Sequence, residues 1–514
     1  MDLRVDWRST LALVGRVLKA LAVPLLFPLA LAVVYGDGVR AFGLTIALTL
    51  TAGHLLESLA TGDGTDIGAR EGFLMVAATW AAVSVVGAVP YVVHGYGTTS
   101  SLVHPVNALF ESMSGFTTTG ATVMAEISVE KHGEALMIWR QLTQWLGGMG
   151  IVVLAVAILP ELSVGGAQLM DAEAPGPGVQ KLTPRIAETA RALWKAYLGI
   201  TVLEILLLYG LHLLGMAPAM TPFNAVSHAF TTMSTGGFSP EARSIEAFSA
   251  VVQWVIIPFM IAAGANFALF WHVMNGNPRR LLRDEEFRAY VGIIGVLAAI
   301  TSAALLANPG DLAVPGVGPL AGDVEAVVRH ATFQVVSIVT TTGYASMDFT
   351  LFNQTATAIV VLAMFVGGST GSTGGAVKIV RWLVIVRAIR RELFVTVHPD
   401  AVKPVRLNGR ALDEGAIRGL FTFTAIYFAL FLIGFVFVML DAQRVGLGLT
   451  FLEGWTATAA TLGNVGPGFG AVGPMENYLR FPPTSKLAMV VLMWVGRLEI
   501  FPVLVLLTRA YWRT

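Results

Sequence analysis

Four short stretches rich in Thr and Gly hold the most chemically suggestive spacing in this sequence. The first reads Phe116-Thr117-Thr118-Thr119-Gly120-Ala121-Thr122 and the second Met233-Ser234-Thr235-Gly236-Gly237-Phe238-Ser239. The third reads Val339-Thr340-Thr341-Thr342-Gly343-Tyr344-Ala345, and the fourth, more divergent, Leu462-Gly463-Asn464-Val465-Gly466-Pro467-Gly468. Their aligned glycines, Gly120, Gly237, Gly343 and Gly466, recur at near-even intervals. A Thr-Thr-Gly run is ordinary loop when it occurs once; four spaced copies point to a repeated device. Small side chains and glycine let a chain run extended with its carbonyls facing one way. Four such segments around one axis would offer main-chain oxygens that replace the water around a dehydrated cation. No nucleophile–base pair or metal-ligand cluster competes with that chemistry, so the chain is not expected to be an enzyme.

The elements that must hold these segments are membrane spans. The chain has 514 residues, of which 55% are hydrophobic and only 13% charged, with a mean hydropathy of +0.71. Soluble domains carry about 25% charge, so an all-α integral membrane protein is expected. The 33 basic and 33 acidic residues cancel, which gives no electrostatic case for a nucleic-acid partner. With no cysteine, disulfides and thiol chemistry are excluded. A span needs about 20 apolar residues. The runs 72–93, 248–271, 289–310, 349–377 and 421–440 qualify without a charge, and 10–35, 41–60, 135–159, 193–214 and 485–511 are shorter or carry an isolated one. That makes about ten transmembrane helices. Basic residues set their orientation. Lys378, Arg381, Arg387, Arg390, Arg391, Lys403, Arg406 and Arg410 crowd one connection, whereas 308–323 has no Lys or Arg. Arg279, Arg280, Arg283 and Arg288 fall on the same side as that basic connection, as do Lys181, Arg185 and Arg191, so both termini are expected in the cytoplasm.

Before each Thr/Gly segment lies a semi-apolar stretch too short to cross: 104–115, 222–233, 325–339 and 448–461. These read as re-entrant half-helices whose partly negative C-terminal ends face one point, which favours a cation. The unit is span, half-helix, extended segment, span. Residues 1–70 then hold two extra N-terminal spans, and pore units occupy 71–165, 166–280, 281–400 and 401–514. Within the third unit, Gly367-Gly368-Ser369-Thr370-Gly371-Ser372-Thr373-Gly374-Gly375 cannot sustain a regular helix. A broken helix in a pore unit must be buried in protein or line water, so this stretch is a gate candidate beneath the segments. Competing readings are a small-residue packing motif and a phosphate loop, although Lys378 comes too late for the latter. Arg497 lies about twelve residues from either end of 485–511, roughly 18 Å deep at the helical rise. A charge so placed faces a pore, a cavity or a partner. It reads as a fixed positive charge below the segments, with a salt bridge to Glu499 or Glu204 as the structural alternative. Broken helices also occur in ion-coupled solute symporters, which is the alternative functional class.

Further motifs complete a pattern: Gln144-Trp145-Leu146-Gly147-Gly148-Met149-Gly150, Pro184-Arg185-Ile186-Ala187-Glu188-Thr189-Ala190 and Gly496-Arg497-Leu498-Glu499. With the four segments and Gly371-Ser372-Thr373-Gly374-Gly375, they make the chain resemble the TrkH family along nearly its whole length. These are the membrane subunits of bacterial Trk potassium-uptake systems, in a superfamily with KtrB and plant HKT transporters. The resemblance implies four pseudo-symmetric pore units, a homodimer with one pore per protomer, and a bacterial inner-membrane location. It implies a cytosolic TrkA-like regulatory subunit that binds a nucleotide (NAD or ATP/ADP), with no cofactor in this chain beyond the K+ it binds and transports, by symport or channel-like flow. In such filters the carbonyls of the two residues before each glycine line the ion sites. By position the filter is Thr118, Thr119 and Gly120; Thr235, Gly236 and Gly237; Thr341, Thr342 and Gly343; Asn464, Val465 and Gly466. The family's gate loop falls on Gly367, Gly368, Gly371, Ser372, Thr373, Gly374 and Gly375, and its pore charge on Arg497. Unlike an all-glycine ideal, Thr119, Thr342 and Val465 precede their glycines.

Overall fold

A computed structural model describes residues 5–59, 68–157, 183–309, 312–315 and 318–512. Lys181 and the expected 165/166 unit boundary lie outside the described residues, as do the side chains of 184–189. The two leading spans are Trp7–Tyr35 and Val39–Glu57, packed along each other. Asp6 starts the first by accepting the Ser9 N–H at 3.0 Å. Gly36 and Gly38, both left-handed, reverse the chain between them.

One arrangement then appears four times. A long span comes first, a short helix turns back, an extended segment follows, and a return helix leaves. The leading spans are 70–95, Thr183–Leu213, Glu285–Ala307 and Glu414–Arg444. The short helices are Pro105–Phe116, Pro222–Met233, Val324–Val339 and Phe451–Leu462, within about three residues of the expected bounds. Their starts are written locally. Pro105 and Pro222 occupy first-turn positions that need no N–H, Asp323 accepts the Ala326 N–H at 3.0 Å, and Thr450 with Glu453 forms a capping box. Among the described residues, six helices are long and apolar enough to cross a bilayer, or eight when two bent pairs each count as one span. Val129–Ala157 and the short apolar Gln354–Ala363 account for the other two expected runs.

Two runs expected to cross as single helices are broken. The run 248–271 splits into Ala250–Ala263 and Phe267–Met274, bent by 101°. Gly264 ends the first helix, and Asn266 begins the second by accepting the Ala268 N–H at 2.9 Å. The freed Gly264 carbonyl accepts the Ser369 N–H at 2.8 Å. The run 485–511 bends by 115° after Pro483–Arg497. Glu499 and Ile500 adopt φ of 60° and 65°, and Pro502 opens the next turn. Arg497 therefore ends a helix instead of sitting midway along one. Both breaks escape hydropathy because the residues across them stay largely apolar.

Each segment runs back along its own short helix, held there by polar side chains. Glu111 accepts from Thr122 Oγ1 at 2.9 Å and from the Val123 N–H at 2.9 Å. The equivalent His228 meets Ser239 Oγ at 2.9 Å, and Gln334 lies 3.2 Å from Ser346 Oγ. In the fourth unit Thr456 Oγ1 accepts the Phe469 N–H at 3.0 Å. Glu111 is fully buried and its charge is met by Arg140, whose Nε donates to it at 2.7 Å. Arg140 also donates to the Ser239 carbonyl at 3.0 Å and lies over the Phe238 ring, tying the first unit to the second. Removing one partner of a buried pair strands the other charge, at a cost of about 3–5 kcal/mol. Arg140→Met should therefore lower the thermal midpoint of the detergent-solubilised protein sharply, and Glu111→Gln in the same chain should recover part of the loss. An Arg140→Met protein that melts like the parent would show the pair to be dispensable.

Candidate functional site

The four short helices end on the same turn. The N–H groups of Thr119, Gly236, Thr342 and Val465 reach back five residues, to the carbonyls of Ser114, Thr231, Ser337 and Ala460, at 2.8, 2.9, 2.8 and 2.8 Å. The residue before each takes a left-handed conformation: Thr118, Thr235, Thr341 and Asn464 have φ of 50°, 54°, 59° and 53°. Non-glycine residues adopt this only where surroundings enforce it. With the N–H groups turned into the helix ends, the carbonyls beyond them are left to point elsewhere.

They point toward one another's segments in a closed order. A Cβ placed on Gly120 would overlap the Gly236 carbonyl oxygen, one on Gly237 the Thr342 oxygen, and one on Gly343 the Val465 oxygen. A Cβ on Gly466 would come within 2.6 Å of the Thr119 oxygen, which returns to the first segment. Each glycine thus abuts the residue preceding the next glycine, and the four segments encircle one axis. The positive φ of all four (83°, 76°, 77° and 100°) adds a second reason for glycine there. The carbonyls of Thr118, Thr119, Thr235, Thr341, Thr342, Asn464 and Val465 accept no hydrogen bond from any described residue, although these residues are buried. The Gly236 carbonyl differs, accepting from Gln144 Nε2 at 2.7 Å. Around the ring, side chains form a collar. Thr117 and Thr119 hydroxyls pair at 2.8 Å, Thr340 and Thr342 at 2.7 Å, and Asn464 Nδ2 donates to Thr119 Oγ1 at 3.0 Å.

The Gly-rich stretch lies directly against the ends of the short helices. It joins Gln354–Ala363 to Ile379–Val397 without helix between. Thr373 Oγ1 donates to the Met233 and Ala263 carbonyls at 3.1 and 3.0 Å. The Gly375 N–H donates to Thr341 Oγ1 at 2.7 Å, and the Ala376 N–H to the Gly463 carbonyl at 2.9 Å. The second, third and fourth units are therefore bridged by this one loop. Its other side is held by Glu286, at the start of the third unit's leading span. One Glu286 oxygen accepts the Thr370 N–H at 2.8 Å and the Val380 N–H at 3.1 Å, so both limbs of the loop hang on the same carboxylate.

Arg497 reaches the loop as well. Its Nη1 donates to the Thr373 carbonyl at 2.6 Å, while Nε and Nη2, both buried, have no partner among the described residues. The expected alternative of a salt bridge to Glu499 or Glu204 is not what forms. Glu499 pairs with Arg381, and the Glu204 oxygens have no hydrogen-bond partner among the described residues. Lys378 Nζ donates to the Gly374 carbonyl. The structure thus brings together the twelve ring residues, the loop and Arg497. Sequence reasoning missed Gln144 and Glu286 as parts of this assembly. The available signal was a polar amide inside an apolar helix for Gln144; for Glu286 there was none beyond its place at a helix start.

Comparison with known proteins follows the same outline. A family model described as a TrkH cation transport protein matches residues 39–513. The Trk system potassium uptake protein TrkH of Halomonas elongata is 37% identical over 512 residues, covering 98% of this chain and 99% of its own. That of Salmonella typhimurium is 34% identical over 514 residues, covering 99% and 100%. The crystal structure of the potassium transporter TrkH from Vibrio parahaemolyticus superposes with a TM-score of 0.85 at 32% identity, covering 99% of this chain and 100% of that one.

The shared carboxylate gives the loop a testable anchor. A hydrogen bond to a charged group contributes about 1.5–3 kcal/mol. Glu286→Ala should accordingly speed hydrogen exchange in peptides spanning 366–380 by roughly tenfold or more, with little change in the short helices. Equal exchange in parent and variant would mean that the loop is held by its other contacts.

Proposed function

Because the chain belongs to the TrkH cation-transport family, we propose that it is the translocation subunit of a Trk potassium-uptake system. The single observation that carries this reading is the closed ring of buried carbonyls that precede the ring glycines, of which all but that of Gly236 have no hydrogen-bond partner among the described residues. A buried carbonyl demands a partner. Oxygens converging from four sides match a cation stripped of water, and four helix C-termini add negative potential at the same place. The residues of the filter are Thr118, Thr119 and Gly120, Thr235, Gly236 and Gly237, Thr341, Thr342 and Gly343, and Asn464, Val465 and Gly466. K+ is the transported substrate.

The stretch Gly367–Gly375 acts as the gate, since it lies across the ends of three pore helices, and its helical continuation Ile379–Val397 leads to the basic connection. Arg497, with two buried donors that have no partner among the described residues, is the fixed charge that limits cation occupancy below the filter. Regulation comes from a cytosolic TrkA-like subunit that carries the nucleotide, NAD or ATP/ADP. The protein works as a homodimer in the bacterial inner membrane with both termini cytoplasmic. An ion-coupled solute symporter would share the broken helices, but a ring closed by four same-direction units favours a pore over a midplane pocket.

Reconstituted protein should pass K+ and Rb+ well ahead of Na+ and Li+ in a vesicle flux assay. Gly343→Ser, which forces a side chain toward the Val465 carbonyl, should reduce K+/Na+ discrimination; equal passage of all four ions by the parent would defeat the reading. Arg497→Ala removes both the fixed charge and the tether on Thr373. It should raise K+ flux in a protein that still purifies folded, and loss of the folded protein would instead assign Arg497 to structure.

A further inference from the structure

At the position just before the ring glycines, one segment carries no side chain. Thr119, Thr342 and Val465 stand before their glycines, but the second segment has Gly236 there. Backbone conformation does not require it, because Gly236 is not among the glycines with positive φ. Space does. A Cβ on Gly236 would overlap Cδ and Oε1 of Gln144 and lie 2.8 Å from its Nε2. Gln144 projects from the first unit's return helix, Val129–Ala157, and is fully buried. Its amide occupies the volume that the missing side chain would fill.

Gln144 also replaces the missing bonds. In the first and third segments the residue before the glycine is braced by a hydroxyl two positions earlier, Thr119 by Thr117 and Thr342 by Thr340. The equivalent Ser234 faces a glycine and turns its hydroxyl to the Phe230 carbonyl at 2.9 Å. Gln144 instead donates from Nε2 to the Gly236 carbonyl at 2.7 Å and accepts the Phe238 N–H on Oε1 at 3.0 Å. The two bonds straddle Gly237, and together they fix which end of the amide is oxygen.

We propose that Gln144 is a specificity-positioning residue of the pore, a side chain lent by one unit to stand in for the one its neighbour lacks. It keeps the Gly236 carbonyl from moving in toward a smaller ion, and it occupies one of that oxygen's two lone pairs, so the four sides of the ring are electrostatically unequal. This rests on the reading of the ring as a cation filter. Without Gln144, no side chain among the described residues hydrogen-bonds the Gly236 carbonyl, and the consecutive glycines 236 and 237 can close around Na+.

The test is the K+/Na+ flux ratio of the full chain in liposomes for the parent, Gln144→Ala, Gly236→Thr and the double variant. Losing one bracing hydrogen bond of ordinary strength corresponds to roughly a fivefold fall in discrimination for Gln144→Ala. Gly236→Thr alone should purify poorly, because its side chain collides with Gln144. The double variant should regain folding and most of the selectivity, since Thr at 236 fills the space and meets Ser234 as Thr119 meets Thr117. A parent-like ratio in Gln144→Ala overturns the proposal, and so does a double variant no better than its worse parent. Should Gln144→Ala fail to fold, the double variant decides: a folded, selective protein supports the proposal, and anything else overturns it. A parent that passes both ions equally sinks the filter reading itself, whereas a selective parent with an indifferent Gln144→Ala sinks only the role given to Gln144.

Discussion

A carbonyl oxygen buried away from water must be given a partner, and here seven of the eight carbonyls that precede the ring glycines are buried without one among the described residues. Unsatisfied buried polar groups each cost a few kcal/mol, so the surroundings must hold these oxygens against their tendency to turn away. The shared turn does this from within, by spending the N–H groups of Thr119, Gly236, Thr342 and Val465 on their own helix ends. The glycines allow it from the side, because a side chain at any of the four would collide with a carbonyl of the next segment. The Glu111–Arg140 pair and its counterparts on His228, Gln334 and Thr456 do it from behind.

Below the ring the fourfold pattern gives way. The first return helix, Val129–Ala157, runs on as one element, kinked only near its start at Gly133, but the other three are broken at the level of the ring. The Gly-rich loop satisfies backbone carbonyls freed at the break after Ala263 and at the end of the fourth short helix. Gly264 accepts from Ser369, Ala263 from Thr373, and Gly463 from Ala376. The loop is thus not a free strap but is held by backbone groups at one helix break and at the ends of two short helices, as irregular backbone at membrane depth requires. Because the same loop is anchored by Glu286 and Arg497, a displacement at its helical continuation would be felt at the pore-helix ends.

Charge is arranged with the same economy. Four helix C-termini bring partial negative charge to the ring, and Arg497 stands on the loop side with two donors that have no partner among the described residues. Glu499, which sequence proximity assigned to Arg497 as one partner, is instead claimed by Arg381. The chain bends sharply through Glu499 and Ile500, and Arg497 hydrogen-bonds the Thr373 carbonyl of the loop while Glu499 pairs with Arg381.

The sequence by itself determined the membrane class, the short helices and the repeat, because hydropathy, capping residues and the Thr/Gly spacing are local properties written within a few residues of one another. It also marked the Gly-rich interruption, since five glycines in nine residues cannot remain helical. Only the tertiary structure decided the cyclic order of the segments, the breaks after Ala263 and Arg497, the carboxylate of Glu286 shared by both limbs of the loop, and the amide of Gln144 filling the place of a side chain at 236. Each of those depends on backbone from one unit meeting groups from another across long stretches of chain. Hydrogen-bond partners and occupied volume are properties of the packed assembly, and no periodicity along a single strand of residues encodes them.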